Sequence, residues 1–171
     1  VSTAARKPAT HALTGDTGAG GASGMGLATA RKFDAEGWKA ILIDLTEHQL
    51  QQAKQALSTR TVTIRADVTQ ESDMKATMET VRDATEGRLD ILFNNAGITQ
   101  GGFFDEIPYE THMEIININI IGVINGIYSA SNLLKNTSNS LCITTSSSSG
   151  IMGMEMIASY SASKHAVKGL T

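Results

Sequence analysis

Short apolar strand patterns alternate with amphipathic helix patterns along most of this 171-residue chain, and the alternation limits the folds open to it. Strand patterns occur at residues 39–43, 61–64 and 89–93, and helix patterns precede the first and separate the others. Parallel strands need a crossover connection, usually a helix, so helices come to cover both faces of the sheet. The sequence therefore predicts a single α/β domain over residues 1–171, a doubly wound parallel sheet in three layers that binds ligands at the carboxyl ends of its strands.

The helix pattern after the first of these strands has a candidate cap. Thr46, with Gln49 three residues later, fits a capping box. In this motif the side chain of each residue accepts a hydrogen bond from the backbone amide of the other. Leu50, Ala53 and Leu57 then form an apolar face. We expect a helix to begin at this box.

Composition favours a small-molecule ligand over a nucleic acid or a membrane. The chain has 14 Lys and Arg against 17 Asp and Glu, a net charge of -3, and neither sign forms a block. Its apolar stretches are far shorter than the roughly 20 residues that span a bilayer, and its start lacks the apolar core of a signal peptide. We expect a cytoplasmic protein with no nucleic-acid or membrane partner.

Cysteine and histidine residues form no pattern of metal ligands. Cys142 is the only cysteine, so no intramolecular disulfide can form, and it lies in an apolar strand pattern at residues 141–147 that we predict to be buried. The four histidines, which share no metal-ligand spacing, are His11, His48, His112 and His165. We expect a core cysteine and no metal site.

A glycine-rich segment at residues 20–26 runs into the first helix pattern. Backbone amides at such a turn, together with the positive end of the helix dipole, can hold a pyrophosphate, and glycine lets the phosphates approach. Asp44 ends the strand that follows, where a carboxylate can accept both ribose hydroxyls of an adenosine and repel a 2'-phosphate. A flexible linker and a helix-capping Asp are the structural alternatives.

Tyr160 and Lys164 lie four residues apart, which puts a phenol and an ammonium on one helical face. A free phenol has a pKa of about 10, and a neighbouring positive charge favours the phenolate, so this pair could exchange protons with an alcohol near neutral pH. Ser147 closes the strand pattern thirteen residues earlier. An ordinary helix start and a polar loop at Ser146–Ser149 are the alternatives.

In order and spacing, these motifs resemble the short-chain dehydrogenase/reductase family. The resemblance runs from Gly20 to the last residue and includes Gly20-x-x-x-Gly24-x-Gly26, Asn94-Asn95-Ala96-Gly97, Ser147 and Tyr160-x-x-x-Lys164. It implies a Rossmann-like fold and an oxidoreductase that transfers a hydride between NAD(H) and a secondary alcohol or ketone. Asp44 leads us to predict NAD rather than NADP.

Carried over by position, the resemblance assigns roles to individual residues. Tyr160 is the expected acid/base, Lys164 its activating cation, Ser147 the group that orients the substrate oxygen, and Asn119 the holder of a water that links Lys164 to solvent. The expected cofactor-binding residues are Gly20, Ser23, Gly24, Met25, Gly26, Asp44, Leu45, Asp67, Val68, Asn94, Asn95, Ala96, Gly97, Tyr160 and Lys164.

Two segments test the resemblance. Residues 116–120 alternate Ile and Asn with period two, a pattern typical of a strand, whereas the family has its long fifth helix here, bent at the position of Asn119. Residues 1–19 are expected to be irregular. If His11–Thr14 is instead the first strand, the loop from Gly15 to Gly24 has five residues more than the family's.

The chain stops seven residues after Lys164, where family members continue into two more strands and a segment that covers the substrate. We therefore expect a piece of a longer reductase that lacks the family's last strands. The alternative function is a catalytically inactive dinucleotide-binding or scaffolding fragment. The full-length parent is expected to form a homo-oligomer through the helices near residues 109–134 and after Tyr160.

Overall fold

Strands and helices alternate along the chain in the computed structural model, which describes residues 10–14 and 20–171. The strands are β1 (Thr10–Thr14), β2 (Lys39–Asp44), β3 (Val62–Arg65), β4 (Ile91–Asn94) and β5 (Leu141–Thr144). The helices are α1 (Gly24–Ala35), α2 (Glu47–Gln55), α3 (Glu71–Thr85), α4 (Tyr109–Ile116), α5 (Gly122–Asn136) and α6 (Ala158–Leu170). A π-helical turn, Asn117–Ile121, joins α4 to α5, and a short 3-10 turn, Ser148–Gly150, follows β5.

All five strands pair in parallel in the order β3-β2-β1-β4-β5. Strand β1 is central, with Leu13 opposite Leu42 of β2 and Phe93 of β4. The chain crosses from one side of β1 to the other between β3 and β4, and a crevice for ligands forms at such a reversal. The predicted doubly wound α/β fold is confirmed.

Two apolar cores cover the two faces of the sheet. Because side chains alternate along a strand, β2 contributes Ile41 and Ile43 to one core and Ala40 and Leu42 to the other. The larger core includes Met74, Met78 and Val81 of α3 and Ala130 and Leu133 of α5. The smaller core includes Ala30 of α1 and Leu50 and Ala53 of α2. The helices thus form the two outer layers of the predicted three.

The segment with the strand-like pattern is helical, as the resemblance implied. Buried positions in it are Ile115, Ile118, Asn119, Gly122 and Val123, which recur at the three- and four-residue spacing of a helix face. Contacts with α3 and the sheet on this face outweigh the β-propensity of the isoleucines. In the described part of the chain, residues 109–136 are long enough to span a membrane and contain an 18-residue window with a mean hydropathy of 1.2, but 44% of that window is buried inside this fold.

The prediction that residues 1–19 are irregular is wrong for Thr10–Thr14. These residues form β1, the central strand of the sheet, as the alternative interpretation proposed. Backbone pairing with β2 and β4 stabilises a strand whose own side-chain pattern is weak. Residues 15–19, which include Gly15 and belong to the loop expected to be longer than the family's, lie outside the described residues.

Two local predictions also need correction. Thr46 precedes α2, but its side chain makes no capping bond; its amide instead donates to Asp44 Oδ1 at 3.0 Å, and Gln49 Oε1 is buried without a partner. The strand at 141–147 is not buried, because β5 is the last strand in the sheet order and leaves Leu141 51% and Ile143 37% exposed. Cys142, between them, is half-buried, and this burial raises the pKa of its thiol.

Close packing of α5 on β4 generates a stability prediction. A Cβ added at Gly126 would lie 2.4 Å from Oδ1 of the buried Asn94, so Gly126→Ala should destabilise the fold by about 1–3 kcal/mol. Gly169→Ala in α6, where a Cβ meets nothing within 4 Å, is the matched control and should be neutral or slightly stabilising. Urea unfolding measures both, and a Gly126→Ala variant as stable as its control would contradict this account.

Candidate active site

The glycine-rich segment forms a tight turn into α1. Gly24, with φ +48°, begins the helix, and Ser23 Oγ accepts from Gly20 N at 3.2 Å instead of capping the first turn of α1. A Cβ at Gly26 would lie 2.0 Å from the Gly20 carbonyl oxygen, so only glycine permits this close approach. The first turn contains no acidic residue. The start of α1 therefore keeps its positive end open to an anion such as a pyrophosphate.

Asp44 connects this turn to the end of β2. Its carboxylate is fully buried; Oδ2 accepts from Ala22 N at 3.2 Å, and Oδ1 accepts from Thr46 N. The structure thus brings the predicted ribose ligand beside the predicted phosphate turn, and Asp44 also organises the start of α2.

A groove of about 470 Å³ lies next to Asp44, between the sheet edge and α4. Leu45 and Asp67 line it together with Tyr109, Met113 and Ile118. Asp67 also has a structural role, since its Oδ1 accepts from both the amide and the hydroxyl of Thr69.

Val68, by contrast, is buried. It packs against Gly122, and its carbonyl accepts from Asn125 Nδ2. Leu45 and Asp67 are therefore placed to contact a ligand in the groove, whereas Val68 supports the wall behind it.

Residues Asn94 to Gly97, which are predicted to bind the cofactor, lie at the end of β4. We call them the floor of the candidate cofactor site. Thr145 holds this floor to β5, because its amide donates to Asn94 O at 2.9 Å and its hydroxyl donates to Asn95 Oδ1 at 2.9 Å. Asn94, Asn95 and Ala96 are buried. Because the side chain of Asn95 accepts from Thr145 next to β5, Asn95 helps to hold these residues in place.

The Tyr160–Lys164 pair lies in the first two turns of α6. Lys164 is only 4% exposed, its Nζ lies 5.5 Å from the centroid of the Tyr160 ring, and it donates to Thr145 O at 2.9 Å. Burial lowers the pKa of the Lys164 ammonium. Tyr160 is half-buried, and its hydroxyl has no hydrogen-bond partner among residues 20–171. The phenol is therefore free to bond to a substrate while the cation behind it is held in place.

Asn119 occupies the middle of the π-helical turn and is completely buried. Its Oδ1 accepts from Ile98 N and its Nδ2 donates to Ile98 O, both at 2.9 Å, and Nδ2 also donates to Ser163 Oγ at 2.9 Å. A Cβ at Gly97 would lie 3.3 Å from both Asn119 Oδ1 and Lys164 Nζ. The structure thus places Gly97, Asn119 and Lys164 in one cluster.

Ser147 follows β5 and begins the 3-10 turn. Its Oγ accepts from Ser149 N at 3.2 Å. The turn packs tightly on α6, since a Cβ at Gly150 would lie 2.6 Å from Lys164 O and 2.5 Å from Ser146 Oγ. A half-buried Ser147 thus lies on a turn that packs against helix α6, which contains Tyr160 and Lys164.

Sequence reasoning missed two polar residues of this cluster. Thr145 anchors both Lys164 and Asn95, and Ser163 bonds to Asn119 while donating to Tyr160 O at 2.7 Å. The available signals were the run of hydroxyls at the end of β5 and the serine inside the Tyr160–Lys164 motif. No group of three or more His, Cys, Asp or Glu in the described residues could hold a metal ion.

Comparisons with known proteins agree with this geometry. A profile of short chain dehydrogenases matches residues 18–171. Levodione reductase of Leifsonia aquatica is 33% identical over 162 residues, 89% of this chain and 59% of the relative. The 3-beta-hydroxysteroid dehydrogenase of Comamonas testosteroni is 36% identical over 152 residues, with the same two shares. The crystal structure of a short chain dehydrogenase/reductase from Burkholderia phymatum in complex with NAD has a TM-score of 0.88 and 28% identity, covering 96% of this chain and 58% of that one.

The matched region contains every element of the site described above. The chain spans between 55% and 64% of the length of the first three curated relatives. Because the profile matches nearly the whole chain, and because relatives a third identical cover most of it, this chain belongs to the short-chain dehydrogenase family.

Proposed function

We propose that this chain is the cofactor-binding and catalytic part of an oxidoreductase that interconverts a secondary alcohol and a ketone with NAD(H). One observation carries the proposal. The buried Lys164 ammonium lies 5.5 Å from the Tyr160 ring, beside the floor formed by Asn94–Gly97. A phenol at the mouth of a cofactor site, with a cation held beside it, can exchange a proton with an alcohol.

The nicotinamide would accept the hydride that leaves the alcohol carbon, while the residues of this chain handle the proton. Tyr160 takes the hydroxyl proton during oxidation and returns it during reduction. Ser147 is positioned next to α6 to hold the substrate oxygen toward Tyr160. Lys164 Nζ is held behind the phenol because it donates a hydrogen bond to Thr145 O. The protein therefore supplies alignment and a matched acid/base.

The contacts of Asn119 define its part in the proton relay. Both hydrogens of its side-chain amide are already donated, to Ile98 O and Ser163 Oγ. A water near Lys164 would therefore not receive a hydrogen bond from Asn119 Nδ2. We propose that Asn119 contributes mainly by holding Ile98 and Ser163 in place, with acceptor capacity on its oxygen left for a relay water.

The preference for NAD over NADP rests on Asp44. Its carboxylate is buried and bonded to the turn that would bind the pyrophosphate, so it cannot swing away from a 2'-phosphate. A negative charge held close to a second negative charge disfavours binding of the phosphorylated cofactor. The crystal structure from Burkholderia phymatum, which contains NAD, is consistent with this proposal.

Exposed apolar side chains near the site favour an apolar substrate. Ile151, Met152, Met154 and Met156 lie between Ser147 and Tyr160 in the sequence and are 48–73% exposed. Phe103 and Phe104 are also exposed. They lie on a neighbouring loop that is hydrogen-bonded to this segment, since Gly102 N donates to Met156 O. Relatives named for levodione and hydroxysteroids support the proposal of an alcohol or ketone on an apolar carbon skeleton.

Cofactor choice is tested by calorimetric titration of NADH and NADPH into the 171-residue chain. We expect NADH to bind at least about tenfold more tightly, and Asp44→Asn, which keeps the shape but loses the charge, to reduce that ratio. Asp67→Asn is the control and should affect both cofactors equally. Equal affinity in the unchanged chain would refute the NAD preference, and no binding of either cofactor would favour the inactive scaffold.

The role of Tyr160 is tested by Tyr160→Phe. Loss of a general acid/base should lower kcat by about 10²–10⁴ and leave the NADH affinity unchanged. Tyr128→Phe, at an exposed position on α5, is the matched control and should keep full activity. Oxidation of secondary alcohols, followed as NADH absorbance, gives the rates. Detectable turnover by the 171-residue chain would rule out the inactive-fragment alternative, whereas normal turnover in Tyr160→Phe would rule out this mechanism.

Lys164 generates a prediction about stability and pH. Its pKa is lowered in the folded state, so the unfolded chain binds more protons and stability rises as pH increases from the folded pKa toward the ordinary lysine value. Lys164→Met should therefore raise the free energy of unfolding most at neutral pH, and this increase should become smaller as the pH rises. Lys168→Met, exposed on the same helix, is the control. Urea unfolding at pH 7 and above measures the free energies of unfolding. If the difference between Lys164→Met and the unchanged chain did not depend on pH, this prediction would be contradicted.

A further inference from the structure

His112 links the catalytic helix to the loop after β4. Its Nδ1 lies 2.7 Å from Ser159 Oγ, its Nε2 lies 2.9 Å from Phe104 O, and its ring stacks on Phe104 with centroids 4.5 Å apart at 28°. Ser159 directly precedes Tyr160 in the first turn of α6. A half-buried imidazole from α4 therefore contacts the side chain of the residue that precedes Tyr160.

The partners define the tautomer of this histidine. A backbone carbonyl can only accept, so Nε2 carries the hydrogen that is donated to Phe104 O. In the neutral ring, Nδ1 then has only a lone pair and accepts from the Ser159 hydroxyl. Each nitrogen thus has one distinct partner, and each bond can be removed or mimicked separately.

The bond to Ser159 acts on the amino side of Tyr160, opposite the two anchors at Ser163 and Lys164. Lys164 is held by Thr145 O, and Ser163 is held by Asn119. Both anchors lie on the carboxyl side of Tyr160, whose own hydroxyl has no partner in residues 20–171. On the amino side, the Gly102 N to Met156 O bond at 2.8 Å ties the same loop to the segment entering α6.

We propose that His112 is a positioning residue for Tyr160, acting through its Nδ1 contact with Ser159. The inference rests on the proposed role of Tyr160 as acid/base. When the contact is lost, the first turn of α6 shifts relative to the floor at Asn94–Gly97, and the phenol no longer lies in line with the substrate oxygen. A displacement of about 1 Å can lower a rate by about a hundredfold.

Three substitutions distinguish the effects of the two hydrogen bonds of His112. His112→Phe keeps a ring to stack on Phe104 but has no hydrogen-bonding nitrogen. His112→Asn places an amide group where Nδ1 lies and can bond to Ser159, whereas His112→Gln places one where Nε2 lies and can bond to Phe104 O. We expect His112→Asn, and not His112→Gln, to restore what His112→Phe loses.

The primary measurement does not depend on catalysis or cofactor. The chain has three tyrosines, so ¹³C-tyrosine labelling gives few signals, and Tyr160→Phe identifies that of Tyr160. His112→Phe should shift or broaden the Tyr160 signal, His112→Asn should return it toward that of the unchanged chain, and the exposed Tyr128 should serve as the internal control. Where the chain turns over substrate, kcat should fall at least about tenfold in His112→Phe with the NADH affinity unchanged.

An unchanged Tyr160 signal in His112→Phe, or equal restoration by the Asn and Gln variants, would overturn the proposal. If His112→Phe does not fold, Ser159→Ala decides, because it removes the same bond with a smaller change and should displace the Tyr160 signal in the same way. Failure of NADH to bind would refute the proposed function but leave this test intact, so the two failures are distinguishable.

Discussion

The hydrogen bond from Lys164 Nζ to Thr145 O is the interaction on which the rest of this site depends. It holds a buried ammonium at the end of β5, and Thr145 also binds Asn94 and Asn95 at the end of β4. One residue thus links helix α6, the edge strand β5 and the residues at the end of β4 that we propose as the floor of a cofactor site. Lys164 is therefore fixed beside Tyr160 by the same residue that holds Asn94 and Asn95 in place.

A buried cation destabilises the folded chain, and the surrounding structure shows how it is tolerated. Burial lowers the pKa of Lys164, which is the response expected of an ammonium that has left water. It lies at the rim of the larger core, beside Gly97 and Asn119, where polar atoms are available. The two apolar cores on the faces of the sheet supply the stability that this polar cluster does not.

The spacing of residues along the sequence could predict the features that depend only on residues close together in the chain. The Tyr160–Lys164 pair follows from helical periodicity, and Asp44 and Asn94 follow from the rule that ligands bind beyond the carboxyl ends of parallel strands. Strand β1 could not be predicted with the same ease, because its stability comes from neighbours on both sides. The contacts of Asn119 with Ser163 and of His112 with Ser159 join residues 44 and 47 positions apart, a separation that no local pattern encodes.

Rigid-body geometry explains why α6 needs more than one such contact. A helix held at one point can still rotate about its axis and slide along it, and either motion moves the Tyr160 hydroxyl. Three points that are not in line remove these freedoms. Helix α6 is held at Ser159 by α4, at Ser163 by the π-helical turn and at Lys164 by the end of β5. Because these anchors belong to three different elements, the geometry of the Tyr160–Lys164 pair is a property of the whole fold and not of the motif alone.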